Sequence, residues 1–210
     1  MSPPFTVYLT TRESICSGVL LNETTILTAA HCLYQAKDLK VYAGMTDKTR
    51  QWQDQRPLDV ASIHLAAGYD NERLVNDLAI IKLRKPLSKR DVSFVVPYYG
   101  NVATGTEAVV SGWGVELDGQ LTRRVRSLNV RIYDDKSCSA KYGSDYLKAT
   151  QLCAGTLEQD FCIGDSGGPL MIGQNQLIGI VSYTGSECSD QRPSVYTKLS
   201  AYRSFIENYI

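Results

Sequence analysis

Short strand-type segments recur along the whole 210-residue chain, and no helical segment long enough for a crossover stands between them. Parallel strands need such crossovers, so the pattern excludes a βαβ architecture and points to an all-β class, either a pair of small barrels or a sandwich. Phe5 to Leu9 and Leu128-Asn-Val-Arg-Ile132 alternate apolar and polar residues, as half-buried strands do. Leu78-Ala-Ile-Ile-Lys-Leu83, Ala108-Val-Val-Ser111 and Leu177-Ile-Gly-Ile-Val181 read as strands buried on both faces, bounded by Gly, Asn, Asp or Pro. Only at the end does the period change. Tyr202, Phe205, Ile206, Tyr209 and Ile210 follow i, i+3, i+4, i+7, i+8 spacing, and Ser200 is placed to cap an amphipathic helix over 200–210. Charge, Pro and Gly concentrate between Lys85 and Gly100, which places a linker there. The chain thus divides into residues 1–94, 95–199 and the terminal helix 200–210, together one functional unit.

Lys plus Arg and Asp plus Glu number 22 each, so no net field draws the chain to nucleic acid or an anionic membrane. No apolar run approaches the length that crosses a bilayer, and the first residues lack a charged leader followed by an apolar stretch. Cys16, Cys32, Cys138, Cys153, Cys162 and Cys188 form an even set that admits fifteen pairings in an oxidising compartment. No CxxC or Cys/His cluster with metal spacing accompanies them, which favours three disulfides over redox or zinc chemistry. Asn22-Glu23-Thr24 is the single Asn-x-Ser/Thr sequon, a glycan acceptor triplet in an exported chain.

Gly164-Asp-Ser-Gly-Gly-Pro169 is the most informative segment for chemistry. Clustered glycines let the backbone turn sharply and leave the Ser166 hydroxyl exposed as a nucleophile. Residues 164–168 also satisfy GxSxG, but that elbow needs a histidine downstream of the serine, and both histidines, His31 and His64, precede it. The order Asp, His, Ser survives only for His64 with Asp38, Asp47, Asp54 or Asp59, and normally sits on an α/β fold. The order His, Asp, Ser remains, with His31 in Leu27-Thr-Ala-Ala-His-Cys32 and Asp77 in Asn76-Asp-Leu-Ala-Ile80. Taken singly, Ser166 reads as a turn serine, His31 as a core histidine and Asp77 as a cap before a strand. His64 has no motif around it and reads as structural or surface.

Leu27-Thr-Ala-Ala-His-Cys32, Asn76-Asp-Leu-Ala79, Ser111-Gly-Trp-Gly114 and Gly164-Asp-Ser-Gly-Gly-Pro169 resemble, in order, the successive motifs of the trypsin/chymotrypsin-like serine peptidases. The resemblance runs from the first strand to the terminal helix. It implies two packed six-stranded antiparallel β-barrels with a C-terminal helix and a catalytic cleft between the barrels. It implies a secreted serine endopeptidase with Ser166 as nucleophile, His31 as general base and Asp77 as its orienting acid. The N–H groups of Gly164 and Ser166 would form the oxyanion hole, Ser182 would support the buried aspartate, and Tyr183 and Thr184 would flank the substrate backbone. The implied disulfides are Cys16–Cys32, Cys138–Cys153 and Cys162–Cys188, and Trp113 is packing. Protein or peptide substrates and protein protease inhibitors are the implied partners of a monomer, with no nucleic acid and no membrane.

By the same resemblance, Asp160 falls at the base of the primary specificity pocket and favours Arg or Lys in the substrate. Phe161 stands where a small residue is usual, and Thr184 and Ser194 where trypsins have glycine, which narrows that pocket. Active members begin with an Ile-Val-Gly-Gly-like end whose amino group pairs with the acid before the nucleophile, here Asp165. No such segment stands in this sequence, so a catalytically impaired or non-catalytic binding homologue is the alternative. Gly44-Met-Thr-Asp47 puts Met45 where a calcium-binding carboxylate would begin, so neither metal nor organic cofactor is expected.

Overall fold

The structure, a computed structural model, describes residues 5–45, 56–114, 122, 124–156, 166–184 and 193–210. Six antiparallel strands form the first sheet: β1 (Thr6–Thr10), β2 (Ile15–Asn22), β3 (Thr25–Thr28), β4 (Lys40–Tyr42), β5 (Val60–Leu65) and β6 (Ala79–Leu83), in the order β4-β1-β2-β3-β6-β5. Leu58 N–H donates to Val41 O at 2.8 Å, which draws the lead-in of β5 towards β4 and curls the sheet into a barrel. The second sheet comprises β7 (Val96–Pro97), β8 (Glu107–Gly112), β9 (Arg126–Ile132), β10 (Gln151–Gly155), β11 (Pro169–Ile172), β12 (Gln176–Tyr183) and β13 (Ser194–Lys198). Strands β8 to β13 run antiparallel, and pairing of β11 with β12 closes them into a six-stranded ring. Strand β7 adds two residues in parallel to β12 at its outer edge. The fold is therefore all-β, with two six-stranded barrel-like sheets and a C-terminal helix.

Strand β9 has the alternation its sequence suggests, with Val130 and Ile132 buried and Asn129 and Arg131 exposed. Strand β1 departs from it: Thr6, Val7, Tyr8 and Leu9 are all buried. The outer face of β1 is covered because Tyr8 packs edge-on against Trp113, at 5.6 Å between ring centroids, in a cluster with Tyr42, Met45 and Val125. The main core also spans both sheets. Val19, Leu27 and Ile80 of the first pack in one cluster with Met171, Leu177 and Ile180 of the second. The segment between β6 and β7 is no loose tether, since Val92 and Val95 are buried and Val95 N–H donates to Leu20 O at 3.0 Å.

One helix was not legible as a hydrophobic period: α1 (Asp135–Tyr142), in which Cys138 alone is buried. Its signals are polar. Asp134 caps it by accepting from Ser137 N–H and Ser137 Oγ–H, both at 2.8 Å, and Gly143, at φ +59°, ends it in a conformation that glycine tolerates. At the C-terminus a 3₁₀ turn, Leu199–Tyr202, precedes α2 (Arg203–Glu207). Ser200 lies inside that turn and is not the helix cap expected of it, because the chain enters α2 already coiled, with Tyr202 at the N-cap position and no side-chain cap. Ile206 is buried in the main core, with Tyr202, Phe205 and Tyr209 packed around it. Lys82 Nζ donates to Thr25 Oγ1 at 2.6 Å and to Tyr209 O at 2.8 Å, and Thr25 Oγ1 donates to the same carbonyl at 2.9 Å.

Disulfides join Cys16 to Cys32 and Cys138 to Cys153. Cys162 and Cys188, the third expected pair, lie outside the described residues. Among the described residues no helix is long and apolar enough to cross a membrane.

Candidate active site

His31 occupies a single 3₁₀ turn, Ala30–Cys32, directly after β3. Ala29 and Ala30 are fully buried, and the disulfide to Cys16 fastens the turn to β2, so only the imidazole reaches outward, with 22% of the side chain exposed. Asp77 arrives from the other side, just before β6. The backbone twists into the left-handed region at Leu74 (φ +49°) and Asn76 (φ +54°). Asn76 Nδ2 donates to Gly68 O, and Tyr202 O–H donates to Asn76 Oδ1 at 2.8 Å, which fixes the approach.

The Asp77 side chain is fully buried and its carboxylate fully engaged. Oδ1 accepts the backbone N–H of His31 at 2.9 Å, while Oδ2 lies 2.8 Å from His31 Nδ1 and accepts from Ser182 Oγ at 2.6 Å. Thr197 Oγ1 holds the backbone carbonyl of Asp77 at 2.7 Å. Ser182 in β12 and Thr197 in β13 thus support, from the second sheet, an acid supplied by the first. A carboxylate only accepts hydrogen bonds, so Nδ1 is the donor to Oδ2, and in a neutral imidazole Nε2 is then the acceptor nitrogen. The charge reaches Tyr69 too, whose hydroxyl pKa is raised first by burial and then by Asp77.

Ser166 is half-buried at the start of a tight turn into β11. Its carbonyl accepts Ser17 N–H from the first sheet at 2.8 Å. Gly167 N–H donates to Val181 O, and Val181 N–H returns a bond to Gly168 O, both at 2.9 Å. Gly167 has φ +80°, and a Cβ there would stand 2.1 Å from Thr28 Oγ1 and 2.2 Å from Ser17 O. Only glycine fits where the two sheets approach so closely.

Of the expected substrate-binding residues, Tyr183 ends β12 with its ring half-buried against Tyr142 and its O–H donated to Asp145 O at 3.1 Å. Burial, then the Asp145 charge, pushes its pKa up to about 12. Thr184 follows it, half-buried, and Ser194 is buried at the start of β13, opposite Ala154. Asp160, Phe161, Gly164 and Asp165 lie outside the described residues. His64 stands apart from His31: it is bonded to Ser62 Oγ at 2.8 Å and packs against Tyr209 in a tilted arrangement with ring centroids 4.5 Å apart. Met45 is buried in the aromatic cluster of Tyr8 and Trp113. Cys16, His31 and Cys32 bring potential metal-ligand atoms within 4.8 Å of one another, but both sulfurs are spent in a disulfide. Sequence reasoning missed Ser17, Thr197 and Tyr202, which tie together segments distant in sequence. No local motif marks them.

A family model described as "Trypsin" matches residues 1–206. The chain is 36% identical over 202 residues to a trypsin of Sarcophaga bullata, covering 91% of this chain and 77% of that protein. It is 35% identical over 214 residues to trypsin theta of Drosophila erecta, covering 98% of this chain and 80% of that one. Among solved structures it is similar to neuropsin, described as a serine protease expressed in the limbic system of mouse brain, with TM-score 0.87 and 29% identity, over 99% of this chain and 94% of that one.

Proposed function

Because the chain belongs to the trypsin family of serine proteases, we propose that it hydrolyses peptide bonds through an acyl-enzyme on Ser166, with His31 as general base and Asp77 as its orienting acid. The observation that carries this reading is the placement of Asp77: buried, bonded to both the backbone N–H and Nδ1 of His31, and braced by Ser182. That arrangement fixes the tautomer in which Nε2 accepts the serine proton, and the buried carboxylate then stabilises the imidazolium. Ser166 Oγ attacks the substrate carbonyl, and His31 returns the proton to the leaving amine. The N–H groups of Gly164 and Ser166 receive the developing oxyanion, where loss of one donor costs about 3 kcal/mol of transition-state stabilisation.

The same reading assigns Asp160 to the recognition of Arg or Lys on the acyl side of the scissile bond, by charge-assisted hydrogen bonding at the base of the pocket. Phe161, Thr184 and Ser194 narrow that pocket, and Tyr183 and Thr184 lie along the substrate backbone. The enzyme acts as a monomer on protein substrates and under protein inhibitors, outside the cell; the Cys16–Cys32 and Cys138–Cys153 disulfides support the extracellular setting.

Covalent labelling by a fluorophosphonate tests the nucleophile. The protein is expected to label stoichiometrically and Ser166→Ala not at all; equal labelling of both would sink the assignment. Cleavage of matched peptides tests the pocket, with Asp160→Ser expected to abolish the preference for Arg and Lys.

A further inference from the structure

Ser17 of β2 is fully buried, and each of its polar groups serves a different neighbour. Its backbone N–H donates to the Ser166 carbonyl at 2.8 Å. Its hydroxyl oxygen accepts the backbone N–H of Trp113, beyond the end of β8, at 3.1 Å. Its carbonyl accepts Thr28 Oγ1 at 2.7 Å and faces the turn at Gly167, where a Cβ would come within 2.2 Å. The preceding residue, Cys16, is tied to Cys32, which is adjacent to His31. Two consecutive residues of one strand therefore reference both the base and the nucleophile, although these belong to different sheets.

We infer that Ser17 is a positioning residue for Ser166, whose hydroxyl holds β2 in register with the second sheet and so sets where the nucleophile stands relative to His31. The inference rests on the proposed role of Ser166. The backbone bond from Ser17 to Ser166 survives any substitution that keeps the N–H, but its placement depends on what anchors β2. At Ser17 a second polar link between the sheets, and the one that depends on the side chain, is the bond from Trp113 N–H to the Ser17 hydroxyl. Attack on a carbonyl is sensitive to displacements well under 1 Å, so a small slip of β2 is felt in the chemical step more than in binding. Ser17 touches neither substrate nor proton; it acts through Ser166.

The test compares the unaltered protein with Ser17→Ala, Ser17→Thr and Val41→Ala, the last a buried residue on β4 of the same sheet that takes part in none of these hydrogen bonds. Each is measured for its rate of fluorophosphonate labelling, for kcat and KM on a peptide substrate, and for Tm. For Ser17→Ala, labelling and kcat are expected to fall about 5- to 10-fold with KM within about twofold, the signature of an interaction that matters in the transition state. Ser17→Thr, which keeps the hydroxyl, should restore both. Val41→Ala should lower Tm at least as much yet label at the unaltered rate. Parental labelling by Ser17→Ala, or equal slowing by Val41→Ala, would overturn the inference and leave the nucleophile assignment standing. Failure of the unaltered protein to label would overturn both.

Discussion

Ser182 Oγ donates a 2.6 Å hydrogen bond to Asp77 Oδ2, the same oxygen that lies 2.8 Å from His31 Nδ1. A hydroxyl from the second sheet and an imidazole from the first therefore share one acceptor atom, and neither sheet alone assembles the pair. Hydrogen bonds to a charged group are worth about 1.5–3 kcal/mol, and Asp77 keeps its bond from the His31 N–H when Ser182 is cut back. Ser182→Ala is expected to lower kcat/KM about tenfold with the protein still folded, checked by steady-state kinetics beside a thermal melt.

Gly167→Ala should be far more damaging than an alanine usually is. The added Cβ would meet Thr28 Oγ1 and Ser17 O at 2.1 and 2.2 Å, in a backbone conformation of φ +80° that side chains rarely adopt. A loss of about 3 kcal/mol or more is expected, since overpacking and conformational strain act together. Urea unfolding measures it, and fluorophosphonate labelling shows whether the turn at Ser166 still holds in whatever fraction folds.

Much of this architecture was written locally, and what was not has a physical reason. Segments such as Leu78 to Leu83 and Leu177 to Val181 announce themselves because strands buried on both faces need continuous apolar residues. His31, Asp77 and Ser166 stood out by order and by the residues around them. Helix α1 did not, because one buried cysteine makes no period; its evidence lay in Asp134 and Gly143 at its ends. Strand β1 looked half-exposed because its sequence cannot reveal that Trp113, more than a hundred residues later, will cover Tyr8. Ser17, Thr197 and Tyr202 were illegible for the same reason. Their roles exist only once segments distant in sequence have met.

The cap of α1 makes a prediction in pH. Ser137 N–H and O–H, bonded to the Asp134 carboxylate, hold its pKa below the ordinary value. A carboxyl whose pKa is lowered on folding adds stability above its unfolded pKa, about 4, and loses it as pH falls through the lower folded value. Asp134→Ala is therefore expected to melt below the unaltered protein at pH 6, with the gap closing below about pH 4. Parallel melting curves across that range would show a constant gap if the carboxylate charge were irrelevant.

The Cys138–Cys153 bridge clamps α1 to β10 across a sequence separation of 15. Closing a loop of that size removes about 3 kcal/mol of unfolded-chain entropy. Replacing both cysteines by serine should cost about that much in denaturant unfolding. Ser166 should label at its usual rate below the transition, because the bridge touches none of the hydrogen bonds around Asp77.

Tyr209 is separated from Thr25 by 184 residues and from Lys82 by 127, yet its carbonyl is where both side chains end. A ribosome delivers Thr25 and Lys82 long before it delivers their acceptor. Until then the ammonium and hydroxyl must make do with water, and the apolar surface that Ile206 will cover stays open. The first sheet is therefore completed only after the second has been made. Its nascent form should stay exposed to chaperones and proteases over that interval, with full protection gained only when the closing helix docks.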